Sequence, residues 1–197
     1  MSTSVRVTVA DYDRMIEDGH FESEENRRYE LLDGEVVEMP PIGEPHEDVV
    51  DRLTSWSVRN SSEDLVRIRV QNSVDISELD SVPQPDVAWV RYRSYRTTRP
   101  QTADVFLLIE VSHSSLSIDR GRKARLYAQA GIADYWIVDV KGRRVEVRRD
   151  PRDGAYQSIR VYAPGESIPL LAFPELAFPV GLLFEEGDDQ SRTDVEN

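Results

Sequence analysis

Five apolar residues in a row, Val105-Phe106-Leu107-Leu108-Ile109, are closed by a carboxylate, Glu110. A strand with one wet face alternates apolar and polar residues. A run with no polar residue reads instead as a strand covered on both faces, near the middle of a sheet. Such a strand needs elements packed on each side, which points to a layered arrangement of helices about a sheet. The rest of the chain supplies them. Residues 7–18 read as a short helix with Thr8 as its cap. Tyr29-Glu30-Leu31-Leu32, Asp33-Gly34 and Glu35-Val36-Val37-Glu38-Met39 form a hairpin signal, because Asp-Gly suits a turn with two positive φ angles. Pro40-Pro41 breaks the chain, and residues 46–60 place Val49, Val50, Leu53 and Trp56 at helical spacing. Residues 65–77 alternate as a half-buried strand that turns near Asn72-Ser73, and Val87–Val90 is a further strand. Residues 119–130 form a helix closed by Gly131, followed by strands at 137–139, 145–148 and 156–162. Residues 168–184, with three prolines, read as irregular structure or a short edge strand. This order predicts an α/β (α+β) domain over residues 1–184, built on one mixed β-sheet flanked by helices, with residues 185–197 as an acidic, disordered tail.

Composition bounds the function classes. No apolar run approaches the roughly 18–20 residues of a membrane span, and Met1–Ala10 lacks the pattern of a signal peptide. The chain has no cysteine, which removes disulfides, thiolate catalysis and Cys-based zinc sites and makes a cytoplasmic location the expectation. The net charge of -13 is unevenly spread. Residues 1–65 carry 17 acids against 6 bases and residues 185–197 carry 6 against 1, whereas residues 66–184 carry 14 acids against 17 bases. Only the middle has the basic balance usual for contact with phosphates.

Two acids and one lysine carry the chemical signal. Asp86 follows Pro85 at the start of an apolar strand, and Glu110 closes another. Lys123 lies on the next helix, in a chain with two lysines against 22 arginines. If the two strands are neighbours, Asp86 and Glu110 can hold one hard divalent cation such as Mg²⁺, with waters and a phosphate completing its shell. Such an ion withdraws charge from a phosphodiester and lowers the pKa of an attacking water. Lys123 would steady that water or offset charge on the phosphorane oxygens. Glu30, inside an otherwise apolar strand, would support the metal site, pair with Lys123, or simply face outward. His46 reads as a local cap or a substrate contact, Gln71 as a residue that could orient the site, and His113 as a loop residue near it. Tyr127 lies one turn beyond Lys123 and shares its face. The serines at 112, 114, 115 and 117 have no His-Asp arrangement behind them, so a serine hydrolase is not indicated.

Taken in order, Tyr29-Glu30-Leu31-Leu32-Asp33-Gly34-Glu35, Pro85-Asp86-Val87, Ile109-Glu110-Val111-Ser112, Asp119 to Lys123, Tyr127-Ala128-Gln129-Ala130-Gly131-Ile132 and Asp134-Tyr135-Trp136-Ile137-Val138-Asp139 resemble the PD-(D/E)XK nuclease superfamily. More closely they resemble its Uma-type branch of restriction endonuclease-like proteins. The superfamily pattern sets a lysine two residues after the second acid, where this chain has Ser112. In the Uma-type branch that lysine comes from the following helix, which matches Lys123. The resemblance implies a restriction endonuclease-like fold, Mg²⁺ or Mn²⁺ on Asp86 and Glu110, catalytic support from Lys123, a site role for Glu30, and DNA as substrate. The expected activity is metal-dependent DNA endonuclease, with Arg91, Arg93, Arg96 and Arg99 helping to hold the backbone. A homodimer would suit the cutting of two strands. The alternative is a catalytically silent nuclease-like fold that serves as a binding module, which the acidic balance of the chain motivates.

Overall fold

The computed structural model describes residues 6–22 and 27–185. Helix α1 (Val9–Glu17) starts at a reciprocal cap, in which Asp11 N–H donates to the Thr8 hydroxyl and Thr8 N–H donates to the Asp11 carboxylate, each at 3.2 Å. The hairpin follows as β1 (Tyr29–Leu32) and β2 (Glu35–Glu38). Both turn residues take positive φ, 48° at Asp33 and 75° at Gly34, as the Asp-Gly pair predicts. Next come α2 (Glu44–Asn60), β3 (Val66–Val70), β4 (Val87–Arg91) and β5 (Val105–Ser112). A short helix α3 (Leu116–Ile118) widens through a π-helical turn at Asp119–Lys123 and continues as α4 (Ala124–Gln129). The chain ends in β6 (Asp134–Asp139), β7 (Arg144–Arg152), β8 (Ala155–Tyr162) and a small ribbon of β9 (Ser167–Pro169) and β10 (Ala177–Pro179).

Strands β3 to β8 form one six-stranded sheet in sequence order. Every neighbouring pair is antiparallel except β5 and β6, which run parallel and are joined by the α3–α4 helical crossover. The sheet is therefore mixed, with helices on both faces. Strand β5 lies inside it and is covered twice, as its apolar run requires. Leu107, Ile109 and Val111 pack into one core with Val49, Val50 and Leu53 of α2 and Phe178 of β10. Leu108, of the opposite parity, packs into the other with Ala124, Leu126 and Tyr127. Strand β6 repeats the division, with Trp136 and Val138 on the first side and Tyr135 and Ile137 on the second. The β1–β2 hairpin is a separate sheet, docked through a bridge between Leu31 and Val82.

Several local expectations shift. Asp75 and Ile76 make isolated bridges and do not extend the β3 region, because Gln71 takes a φ of 50° and turns the chain out of the strand. The helix expected over 119–130 begins at Leu116. The proline-containing segment 168–184 forms the antiparallel β9–β10 ribbon, and Ile168 and Phe178 bury it against the α2 face. Among the described residues no helix is long and apolar enough to cross a membrane. The acidic tail expected from residue 185 lies, beyond Glu185, outside the described residues.

Candidate active site

Glu110 is not at a strand end. Strand β5 runs on to Ser112, and the two-residue period turns Glu110 away from α2 and toward the helical crossover, where it is 3% exposed. A carboxylate so deeply buried needs partners. Its Oε1 accepts hydrogen bonds from the Lys123 ammonium at 3.1 Å and the Tyr127 hydroxyl at 2.7 Å. Its Oε2 receives no hydrogen bond among the described residues. Asp86 reaches the same place from β4. The antiparallel register sets Val87 opposite Ile109, so Asp86 falls beside Glu110. Asp86 Oδ2 accepts from the Val111 N–H at 2.8 Å, and its Oδ1 meets His46 Nε2 at 3.1 Å and Gln71 Nε2 at 3.3 Å.

The four-residue spacing of Asp119, Lys123 and Tyr127 sets all three on one inward helical face. Asp119 opens and Lys123 closes a π turn, a feature that recurs at functional sites. The Lys123 ammonium lies 3.1 Å from Glu30 Oε1 as well as 3.1 Å from Glu110 Oε1. The other Glu30 oxygen accepts from the Gln84 N–H at 3.2 Å. Asp119 Oδ2 accepts from the hydroxyls of Ser112 at 2.5 Å and Ser115 at 2.6 Å. Sequence-predicted Asp86, Glu110, Lys123 and Glu30 therefore meet in one cleft, roofed by the Met39–Gly43 segment and by His113 and Ser114.

The cluster holds more negative charge than it can neutralise internally. Four buried carboxylates, those of Glu30, Asp86, Glu110 and Asp119, surround one ammonium and one imidazole. Burial drives the Glu110 carboxyl well above the usual carboxylate range. Lys123 opposes this, while Asp119, Asp86 and Glu30 reinforce it. Asp119 is raised for the same first reason, with Lys123 and its two serine hydroxyls opposing. Burial pushes Asp86 up too, but the hydrogen bond and charge of His46, the Val111 N–H and Lys123 outweigh it and hold the acid low. Burial works against the charged form of Lys123, and Glu110, Glu30, Asp119 and Asp86 more than reverse this, so the ammonium stays protonated.

This donor set fits a hard divalent cation. Among the described residues no three His, Asp or Glu side chains are grouped to cage an ion. Asp86 and Glu110 offer carboxylate oxygens at the cleft, and Glu110 Oε2 has no competing protein donor. Mg²⁺ is commonly held this way, by one or two carboxylates with waters and substrate phosphate completing its shell.

A family model for Uma2, described as "Putative restriction endonuclease", matches residues 9–181. The chain belongs to the Uma2 family. The solved structure of "a putative nuclease belonging to DUF820" from Anabaena variabilis ATCC 29413 superposes with a TM-score of 0.67 at 18% identity, covering 90% of this chain and 97% of that one. At that identity the likeness shows the fold, the same nuclease-like mixed sheet flanked by helices. No curated protein matches the chain.

Sequence reasoning about this Uma2 chain passed over part of the cleft. Asp119 carries a usable signal, as the first member of the four-residue spacing Asp119, Lys123, Tyr127 that sets one helical face. His46 is buried against Asp86, with its Nδ1 lacking any hydrogen-bond partner, and is not a helix cap. The arginine segment stands apart from the cleft. None of Arg91, Arg93, Arg96 and Arg99 lines the cleft; Arg28 does. Arg93 pairs with Asp104 and Arg99 forms a two-point pair with Asp13. Arg91 leaves β4 at the end away from Asp86.

Proposed function

We propose that this chain is a DNA endonuclease that uses Mg²⁺ or Mn²⁺ to hydrolyse phosphodiester bonds, with Asp86 and Glu110 as the metal ligands. The observation that carries the reading is the pairing of two carboxylates across neighbouring strands, tied by the 2.8 Å bond from Val111 N–H to Asp86, with a buried lysine on Glu110. When bound, the ion would draw charge from the phosphate and acidify an attacking water. The chain's own residues prepare the place. Lys123 and Tyr127 fix one Glu110 oxygen and leave the other turned to the cleft. His46, Gln71 and the Val111 N–H set the orientation of Asp86. Glu30 holds the Lys123 ammonium from the far side, so that its charge stays close to the scissile phosphate. A two-fold homodimer would present two such clefts to the two strands of a duplex, and a cytoplasmic location agrees with the absence of cysteine.

Nicking of supercoiled plasmid tests the reading. The wild type should nick in Mg²⁺ or Mn²⁺ and stop in chelator, while Asp86→Ala, Glu110→Gln and Lys123→Ala fold but do not nick. Undiminished nicking by Glu110→Gln would overturn it. Tight metal-independent binding of a partner, with no turnover under any divalent ion, would favour the binding-module reading instead.

A further inference from the structure

Strand β3 is an edge of the sheet, and its outer residues form a surface unlike the rest of this acidic chain. Gln71, which donates to Asp86, follows the last residue of β3 at the cleft end of the edge. Arg69 and Arg67 share one face of the strand and step away from that end about 7 Å apart, the rise of two extended residues. The loop after β4 folds back onto them. The Arg67 guanidinium lies 5.0 Å from the Tyr92 ring centre, and Arg69 and Arg93 lie 5.4 and 5.2 Å from that of Tyr95. Tyr92 is 51% exposed.

Many arginines elsewhere are paired, as in Arg52–Asp48, Arg149–Asp134 and Arg160–Glu166, with Arg28, Arg59 and Arg143 as scattered exceptions among the described residues. Among the described residues Arg67, Arg69, Arg91 and Arg96 have no carboxylate partner. The Arg69 Nε is buried without any hydrogen-bond partner, and the side chain's one bond is a 3.3 Å contact to Asn72. Burial first, and the charge of Arg67 besides, make its guanidinium less basic than usual, against a smaller opposing effect of Tyr95. An anion beside it would remove that penalty. Cations that track a backbone, alternating with rings on which bases can stack, are the two components of a single-strand platform. Continuous duplex would use the cations but has no unstacked base to offer Tyr92.

We propose that the β3 edge, formed by Arg67 and Arg69 with Tyr92 and Tyr95 folded onto them, binds a single-stranded stretch of DNA leading into the Asp86–Glu110 cleft. This rests on the reading of that cleft as a phosphodiester site, but the binding it describes needs no metal. The test is fluorescence anisotropy of a labelled oligothymidylate with the whole chain in chelator, alongside plasmid nicking in Mg²⁺. Wild type should bind the single strand more tightly than a duplex of equal length. Tyr92→Ala should weaken binding about tenfold, the loss of one stacked base. Combining Arg67→Gln with Arg69→Gln should lower the salt dependence of log affinity by about 0.7 per arginine, the value for one phosphate contact on a single strand. Arg160→Gln, on the opposite edge strand β8, should bind as wild type, and unchanged melting curves should show that each variant is folded. The proposal fails if wild type does not bind the oligothymidylate, if Tyr92→Ala and the double variant bind as wild type, or if duplex is preferred. Binding that follows these expectations without any metal-dependent nicking would leave the platform standing and remove the endonuclease reading.

Discussion

Asp134 and Glu110 are buried carboxylates on adjacent strands of one sheet, 1% and 3% exposed. Their surroundings differ in one respect. Asp134 is fully supplied with donors. Its Oδ1 accepts from Arg149 Nε at 2.8 Å and Trp136 Nε1 at 2.8 Å, and its Oδ2 accepts from Arg149 Nη2 at 2.9 Å and the Leu171 N–H at 3.1 Å. Glu110 has two donors on one oxygen and none on the other, and it shares its lysine with Glu30. Burial alone therefore does not mark a functional acid. The distinguishing property is unfinished coordination combined with surplus like charge. Asp134 is a closed joint between β6, β7 and the segment that follows β9, while Glu110 is an open one facing a cleft.

That contrast can be broken by experiment, beginning with stability. Asp134→Ala leaves the Arg149 guanidinium, the Trp136 indole N–H and the Leu171 N–H without their acceptor, so it should destabilise the fold by about 3–5 kcal/mol in urea titrations. The nicking rate per folded molecule should be nearly unchanged. Glu110→Gln should do the reverse, lowering nicking by roughly 10²–10³-fold, the usual scale for removing one electrostatic contributor to a transition state, while stability holds or improves. A Glu110→Gln protein as unstable as Asp134→Ala would show the two acids to be the same kind of group.

The pH dependence of stability sharpens the comparison further. The folded state raises the pKa of Glu110 and of Asp119, so between the ordinary carboxylate range and the raised value it binds more protons than the unfolded chain. Metal-free stability should therefore fall as pH rises through that window, by up to about 1.4 kcal/mol per pH unit for each group. Glu110→Gln should remove its share of the slope in denaturant titrations at stepped pH. Asp86 has the opposite sign, since it is held low and contributes stability that is lost as pH falls through its folded value. The smallest expected effect is a rise in melting temperature on adding Mg²⁺, worth about 1–3 kcal/mol at concentrations well above the dissociation constant. It should appear in the wild type and in Arg160→Gln, and be absent from Glu110→Gln.

Much of this architecture is legible in residue order because its determinants are local. The Asp33-Gly34 turn, the Thr8 cap and the two-sided burial of β5 follow from chemistry within a few positions. Asp86, Glu110 and Lys123 were visible as candidates because each sits where an apolar pattern would favour something else. The rest depends on distance in the chain. His46 meets Asp86 only once α2 has packed on the sheet, and Asp119 is fixed in the cluster by the hydroxyl of Ser112, which the end of β5 brings to it. The arginines after β4 read alike in the sequence, whereas the partners of two of them, Asp104 for Arg93 and Asp13 for Arg99, and the direction in which β4 leaves the cleft are not local.

The hairpin that carries Glu30 pairs with no strand of the main sheet, and Leu32 packs it into the core on the crossover side. It is fastened by its bridge to Val82, by the Asp33 N–H bond to the Ser81 hydroxyl, and by Arg122 to Asp33 and Glu35. It is made early in synthesis, yet its partners on the helix come much later, so it has nothing to clasp until the crossover between β5 and β6 exists. Until then Lys123 lacks one of its two anchors. The consequence is an order of assembly: Lys123 gains both of its carboxylate anchors only when the first hairpin and the helical crossover have found each other.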